Sequence, residues 1–256
     1  MCLIFISIND HPNYKLIVVA NRDEFYSRKT AAAEFWPDHP HLLGGRDLEA
    51  GGTWLGMTRE GKIAMITNYR DLKNILPAAP SRGHLASDYL IANVTAENHL
   101  NEIAKSASLY NGFNMVAGNA STLWYFSNYG KGVERLSKGF FGLSNHLLDT
   151  PWPKVVRGKE RLKPLLQQAV IDTDQLFEFL YDEKIAKDDQ LPDTGIGLER
   201  ERALSSMFIK TPNYGSRCST VLLVDKNNRV SFSERVYDLK TFEYKTGRFE
   251  FDIDEA

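Results

Sequence analysis

The chain has 256 residues, 43% of them apolar and 25% charged, and a formal charge of −2. That balance suits a globular protein with a sizeable core and excludes a global field drawing it to nucleic acid or an anionic membrane. The cysteines, Cys2 and Cys218, are too few for a disulfide framework and fit a reducing cytoplasmic setting.

"MCLIFISIND" has no basic start, and its apolar run stops before a signal core would. No later run is long enough to span a bilayer. The first expectation is therefore a cytoplasmic chain without a transmembrane segment.

The first third reads as strands. "CLIFISI" (2–8) and "KLIVVAN" (15–21) flank the turn-rich "NDHPN" and predict a hairpin. "GGTWLGMT" (51–58) and "KIAMITNY" (62–69) predict a second. Helices follow: one opening near Ser81 through "RGHLASDYLIANV", and one over 95–110 with Thr95 as cap. Strands return at 113–119 and 122–128. Residues 154–170 and 173–184 read as helices, the first kinked or divided by Pro164. The segment 186–198, with Pro192, Gly195 and Gly197, reads as a loop. Strands close the chain at 219–225, 230–237 and 241–253.

This order, strands, helices, strands, helices, strands, lacks the alternation of a doubly wound parallel sheet. It predicts an α+β fold of antiparallel sheets with helices packed outside, as one domain over 1–256, with strands from both chain ends sharing a sheet.

Several chemistries lack their motifs. No G-x-G-x-x-G follows a strand, and no Walker loop, G-x-S-x-G elbow, H-E-x-x-H or C-x-x-C occurs. His39 and His41 sit in "PDHPH", read as a proline-broken loop. No metal site is expected.

A nucleophilic constellation does occur. If Met1 is removed, Cys2 carries a free α-amine of pKa roughly 7.7–8.0, able to act as base for its own thiol. In a hairpin, "ANRDEF" would end beside Cys2, with Asp23 placed to hold a nearby positive charge. Asn68 in "ITNY", Asn145 in "GLSNHLLDTPW" and Arg217 in "GSRCSTVLLVD" fall at strand ends. These residue types place a nucleophile, donate to an oxyanion and balance charge. Strand alternation puts Asn21 and Asp23 on one face and Arg22 and Glu24 on the other. Glu24, Trp54, Tyr69 and Arg82 are placed with Arg22 at the cleft rim, and Arg46 adds a further cation.

The strings "MCLIF", "ANRDEFYSR", "GGTWLG", "TNYR", "LYNGFN", "GLSNHLLDTPW" and "LLVD…VSFSER" occur in order across nearly the whole chain. Together they resemble the NRDE family, the transport and Golgi organisation protein 2 family, named for its Asn-Arg-Asp-Glu string. The resemblance implies a fold like the N-terminal nucleophile (Ntn) hydrolases, a four-layer αββα sandwich of two antiparallel sheets. More distantly the chain resembles the cysteine branch that includes bile-salt hydrolase and penicillin V acylase, where R-N-x-D follows the nucleophile strand. Asn21 and Asp23 match that string, and Ala20 stands at its arginine. Asn68, Asn145 and Arg217 resemble the branch's oxyanion and support residues.

The family resemblance also implies a role in haem mobilisation, or in lipid and acyl-coenzyme A handling. The expected function is binding and trafficking of haem, or of a similar amphipathic anion such as acyl-coenzyme A, with haem as cargo rather than as a catalytic cofactor. Transfer of that cargo implies a transient membrane or protein partner. The alternative is a cysteine hydrolase of an amide or thioester with Cys2 as nucleophile.

Overall fold

A computed structural model describes residues 2–254. The first half of the chain supplies β1 (Cys2–Ile8), β2 (Tyr14–Phe25), β3 (Thr30–Trp36), β4 (His39–Asp47), β5 (Leu55–Thr58) and β6 (Lys62–Asn68). Helices α1 (Gly83–Ile91) and α2 (Ala96–Ser106) follow, then β7 (Phe113–Asn119), β8 (Thr122–Ser127), β9 (Glu134–Leu136) and β10 (Gly139–Leu143). The remainder gives α3 (Pro153–Leu165), α4 (Thr173–Leu180), α5 (Leu198–Ala203), β11 (Tyr214–Asp225), β12 (Arg229–Tyr237) and β13 (Tyr244–Asp252).

The strands form two wholly antiparallel sheets, ordered β10-β1-β2-β11-β12-β13 and β3-β4-β5-β6-β7-β8-β9. Strands from both chain ends share the first sheet. Helices α3 and α4 pack on β10, β1, β2 and β11, and α1 and α2 pack on the second sheet. The layers therefore run helix, sheet, sheet, helix, as an αββα sandwich.

The apolar run of β1 follows from this burial. Ile4, Ile6 and Ile8 fill the core that includes the second sheet, while Leu3 and Phe5 pack with Phe177, Phe179 and Leu180 of α4. A strand covered on both faces needs no polar alternation. Each such fully buried side chain stabilises the fold by about 1.5–3 kcal/mol.

Several boundaries differ from the sequence reading. Arg82, not Ser81, stands at the α1 N-cap, and its side chain makes no capping bond. Thr95 does cap α2, accepting from Asn98 N. Helix α3 stops at Leu165, one residue after Pro164, whose missing N–H and ring disfavour continuing the helix. Helix α4 is capped by Asp172 and ends at Leu180. A 3₁₀ turn at Asp188–Gln190 interrupts the 186–198 segment, and α5 opens at its end.

The stretch around "PDHPH" is a strand start rather than a loop. His39 pairs with Trp36, and the ladder is irregular before Phe35 meets Leu43. Pro40 falls in that irregular stretch, where proline is tolerated in a strand.

Candidate functional site

The site gathers where β1 begins and β2 and β6 end. Cys2 lies opposite Arg22 of β2, and Cys218 of β11 lies opposite the same Arg22 on the other side. Both thiols are buried and free. The β1–β10 ladder aligns Ile4 with Leu143; continuing that register brings Asn145 level with Cys2. Asn145 Nδ2 donates to Asn68 O at 3.0 Å, and Asn145 O accepts from Arg70 N at 2.8 Å. The loop after β10 is thus stitched to the end of β6, joining the two sheets at this edge.

Strand alternation divides the Asn21–Glu24 string as expected. Asn21 and Asp23 face the helix layer. Asn21 Nδ2 donates to Leu180 O at 3.0 Å and Met207 O at 2.8 Å, and Asn21 Oδ1 accepts from Ser219 Oγ. Those bonds make Asn21 a structural tie behind the sheet rather than a ligand contact. Asp23 Oδ1 accepts from Ser216 Oγ at 2.6 Å. Burial pushes the Asp23 carboxyl above its usual range, and the positive charge of Lys154 opposes that shift.

Arg22 faces the space between the sheets. Its guanidinium lies 4.0 Å from the Trp54 ring centroid and donates to Thr30 Oγ1 at 3.0 Å. Ala20, standing at the arginine of the R-N-x-D string, shares that face two residues earlier. Arg22 and Trp54 are therefore a buried stacked pair under the site and do not line the large cleft.

Two further expectations are corrected by geometry. Arg46 makes a bidentate pair with Asp38 at 2.7 Å and stacks on Trp36, away from the cleft. Arg217 is the extra residue of a β-bulge, because Ser216 opposes Asp23 while Cys218 opposes Arg22. The bulge takes it out of strand alternation. Its guanidinium donates to the carbonyls of Phe25, Tyr26 and Arg28, pinning the turn after β2. Cys2, Asp23, Asn68 and Asn145 gather at one edge; the Arg217 head group turns away.

Beside this edge lies a cleft of about 740 Å³. Glu24, Tyr69 and Arg82, which the sequence reading placed at a rim, line it, together with Asn68, which that reading placed with the nucleophile; Arg22 and Trp54, expected at the same rim, do not. Its lining also holds side chains that were not anticipated, Arg70, Tyr214 and Arg200 among them. Arg70 is buried, pairs with Glu201 at 2.7 Å and lies over Trp152 at 4.8 Å. Tyr214 lines the cleft, and its hydroxyl makes no hydrogen bond among the described residues. Arg200 of α5 reaches the wall from the far side and is exposed.

Lys154, in the first turn of α3, was also missed. It is fully buried behind the cleft, and Nζ makes no hydrogen bond among the described residues. Burial lowers its pKa to about 8, with Asp23 opposing. Arg70 directly follows "TNY", so proximity to a strand end was a usable signal. Nothing local in "TPWPK" marks Lys154 as buried.

The Cys2 thiol does not line the cleft among the described residues. It borders a separate void of about 10 Å³ with Ala20, Arg22, Trp54 and Leu55, no larger than one water needs. Burial raises the thiol pKa, against the pull of Arg22 and of the Asp23 backbone N–H. Among the described residues no group of three or more His, Cys, Asp or Glu side chains is placed to hold a metal. No described helix is long and apolar enough to cross a membrane.

The sequence profile of the family described as Transport and Golgi organisation 2 matches residues 1–239. The chain belongs to this family. It is 36% identical over 275 residues to the mouse (Mus musculus) protein called Transport and Golgi organization 2 homolog, covering 99% of each chain. It is 32% identical over 266 residues to the Drosophila melanogaster protein Transport and Golgi organization protein 2, covering 91% of each. Among solved structures, the C2A mutant of conjugated bile acid hydrolase from Clostridium perfringens superposes with a TM-score of 0.51 over 97% of both chains. At 9% identity that likeness shows a shared Ntn-hydrolase-like fold and no shared activity.

Proposed function

We propose that this Transport and Golgi organisation 2 family member binds an amphipathic anionic ligand in the cleft and carries it rather than turning it over. Haem is the first candidate ligand and acyl-coenzyme A the second. The observation that carries the reading is an apolar mouth beside Arg82, in a cleft whose other charged lining is mixed, Arg70 and Arg200 against Glu24, Asp71 and Glu199. Phe25, Leu72 and Ile75 line it as exposed apolar side chains. Below them Arg82 makes, among the described residues, one hydrogen bond, to Gly112 O at 2.9 Å, and no ion pair. Its remaining donors suit a carboxylate or phosphate, while the mouth suits a porphyrin edge or an acyl chain.

Carriage is favoured over turnover by the position of Cys2. A nucleophilic thiol must reach substrate as thiolate. This thiol lies outside the cleft lining, and burial holds it protonated near neutral pH. The second reading, a cysteine hydrolase of an amide or thioester, draws on the register that sets Asn145 and the Asp23 backbone beside Cys2.

Titration with haem, followed in the Soret band, and with acyl-coenzyme A, followed by calorimetry, tests the proposal. Saturable binding is expected. Arg82→Ala is expected to weaken it roughly 10- to 150-fold, the equivalent of one charged hydrogen bond. Cys2→Ala is expected to bind within about twofold of wild type, since removing a side chain off the ligand's path leaves its contacts intact. Steady turnover of a thioester or amide by wild type, abolished in Cys2→Ala, would overturn the proposal.

A further inference from the structure

We infer that the mouth of the cleft is a docking surface for the interface of a phospholipid bilayer, formed by the loop between β6 and α1 together with Phe25 and Leu198. The inference rests on the reading of the cleft as a carrier site for an amphipathic ligand, and adds where that ligand is loaded and released.

The loop reads Asp71-Leu-Lys-Asn-Ile-Leu-Pro-Ala-Ala-Pro80. Leu72, Ile75 and Leu76 are 50%, 51% and 43% exposed, and Phe25 across the mouth is 58% exposed. Leu198, beside the cleft-lining Glu199, is exposed as well. Single exposed apolar residues need no explanation, but a cluster at one mouth marks an interaction surface.

Polar clamps hold this loop outward. Asp71 Oδ1 accepts from Lys73 N and Asn74 N, and Oδ2 accepts from Asn74 Nδ2 at 2.6 Å and from the Tyr129 hydroxyl at 2.7 Å. The Asn111 side chain brackets Leu76, accepting from its N–H at 2.8 Å and donating to its carbonyl at 3.1 Å. A slack loop would lower its free energy by folding its leucines onto the core. This one is fixed with them facing solvent.

A bilayer is the occupant that this chemistry fits. Lys73 stands between Leu72 and Ile75, where a lysine can send its ammonium to lipid phosphate while its neighbours enter the acyl boundary. Arg200 offers a second exposed cation at the rim, next to the exposed carboxylate of Glu199. Asp71, the loop's own acid, is consumed by its clamps. The apolar patch is also continuous with the cleft through Leu72, Ile75 and Phe25. A ligand whose apolar body dissolves in membrane could then pass between bilayer and cleft without crossing water. With a net charge of −2, attachment rests on insertion of these side chains more than on long-range attraction.

The test is sedimentation of the full, ligand-free chain with phosphatidylcholine vesicles, with and without phosphatidylserine. Wild type is expected to sediment with both, more strongly with phosphatidylserine. The Lys73→Glu/Leu76→Glu variant changes two residues outside the cleft lining. Its vesicle partitioning is expected to fall at least about tenfold, as loss of one inserted leucine predicts. Its acyl-coenzyme A binding, measured by titration without vesicles, is expected to stay within about twofold of wild type. The inference is overturned if wild type stays in the supernatant, or if the variant sediments equally well. It is also overturned if wild type ignores vesicles but self-associates in a way the variant abolishes, which would assign the face to a second copy of the chain. Vesicle binding that depends on this loop, in a chain that binds neither haem nor acyl-coenzyme A, would support the docking face while overturning the carrier reading.

Discussion

Removing Glu201 tests whether the far wall of the cleft is held by one buried ion pair. Arg70 and Glu201 meet at 2.7 Å with side chains only 3% and 4% exposed. Glu201 also accepts from Thr194 N at 2.8 Å and from the Thr194 hydroxyl, tying the preceding loop to α5. In Glu201→Ala the Arg70 guanidinium stays buried beside Trp152 without this counter-charge, and the Thr194 donors lose their acceptor. Breaking one side of a buried pair costs about 3–5 kcal/mol. For a chain of this size each kcal/mol lowers the melting temperature by about 2–4 °C, so a drop of roughly 6–20 °C is expected. Thermal unfolding followed by circular dichroism reads it. Because α5 supplies Glu199, Arg200 and Ala203 to the cleft wall, acyl-coenzyme A affinity should fall in the same variant. Arg70→Met/Glu201→Leu removes both charges and should melt above Glu201→Ala, since the guanidinium that Glu201 pairs with is removed along with it. A Glu201→Ala melting temperature within about 2 °C of wild type would refute the claim that this pair fixes the wall.

Two other predictions concern the layer behind the cleft. Burial lowers the Lys154 pKa to about 8. Below that pH both folded and unfolded chains hold the proton, and the cost of burying the charge is fully present. Between about 8 and roughly 10.4 the unfolded chain binds a proton that the folded chain does not, so stability rises with pH. The shift amounts to roughly 3 kcal/mol; urea unfolding across this range should show a difference between wild type and Lys154→Met that shrinks as pH rises, and a constant difference would contradict the assignment. At Gly158 of α3 an added Cβ would lie 2.0 Å from the Phe5 ring, which is itself packed against Phe179 and fully buried. Gly158→Ala gains about 1 kcal/mol of helix propensity against up to about 3 kcal/mol of overpacking. Net destabilisation near 2 kcal/mol, or roughly 4–8 °C in melting temperature, is expected; a stabilised variant would show that α3 can move off β1.

The sequence by itself determined the order of strand and helix blocks and the family. Those signals are local: an apolar run, a cap such as Thr95, a string such as "ANRDEF". The positions of Glu24 and Tyr69 at the cleft were legible too, because strand ends in an antiparallel sandwich collect at sheet edges. Strands β3, β4, β9 and β10 were not read, since their mixed sequences carry no clean period of two and are held by neighbours distant in the chain.

Tertiary structure decided the rest through direction and burial, which no residue type specifies alone. One bulge between Ser216 and Cys218 turned Arg217 from a site cation into a brace for the turn after β2. Stacking between the sheets drew Arg22 onto Trp54, and a partner eight residues away took Arg46. Lys154 reads as an ordinary exposed residue at a helix start until α3 docks on the first sheet and removes its water. Contacts between distant segments set which side chains face the cleft, and with it which charges remain available to a ligand.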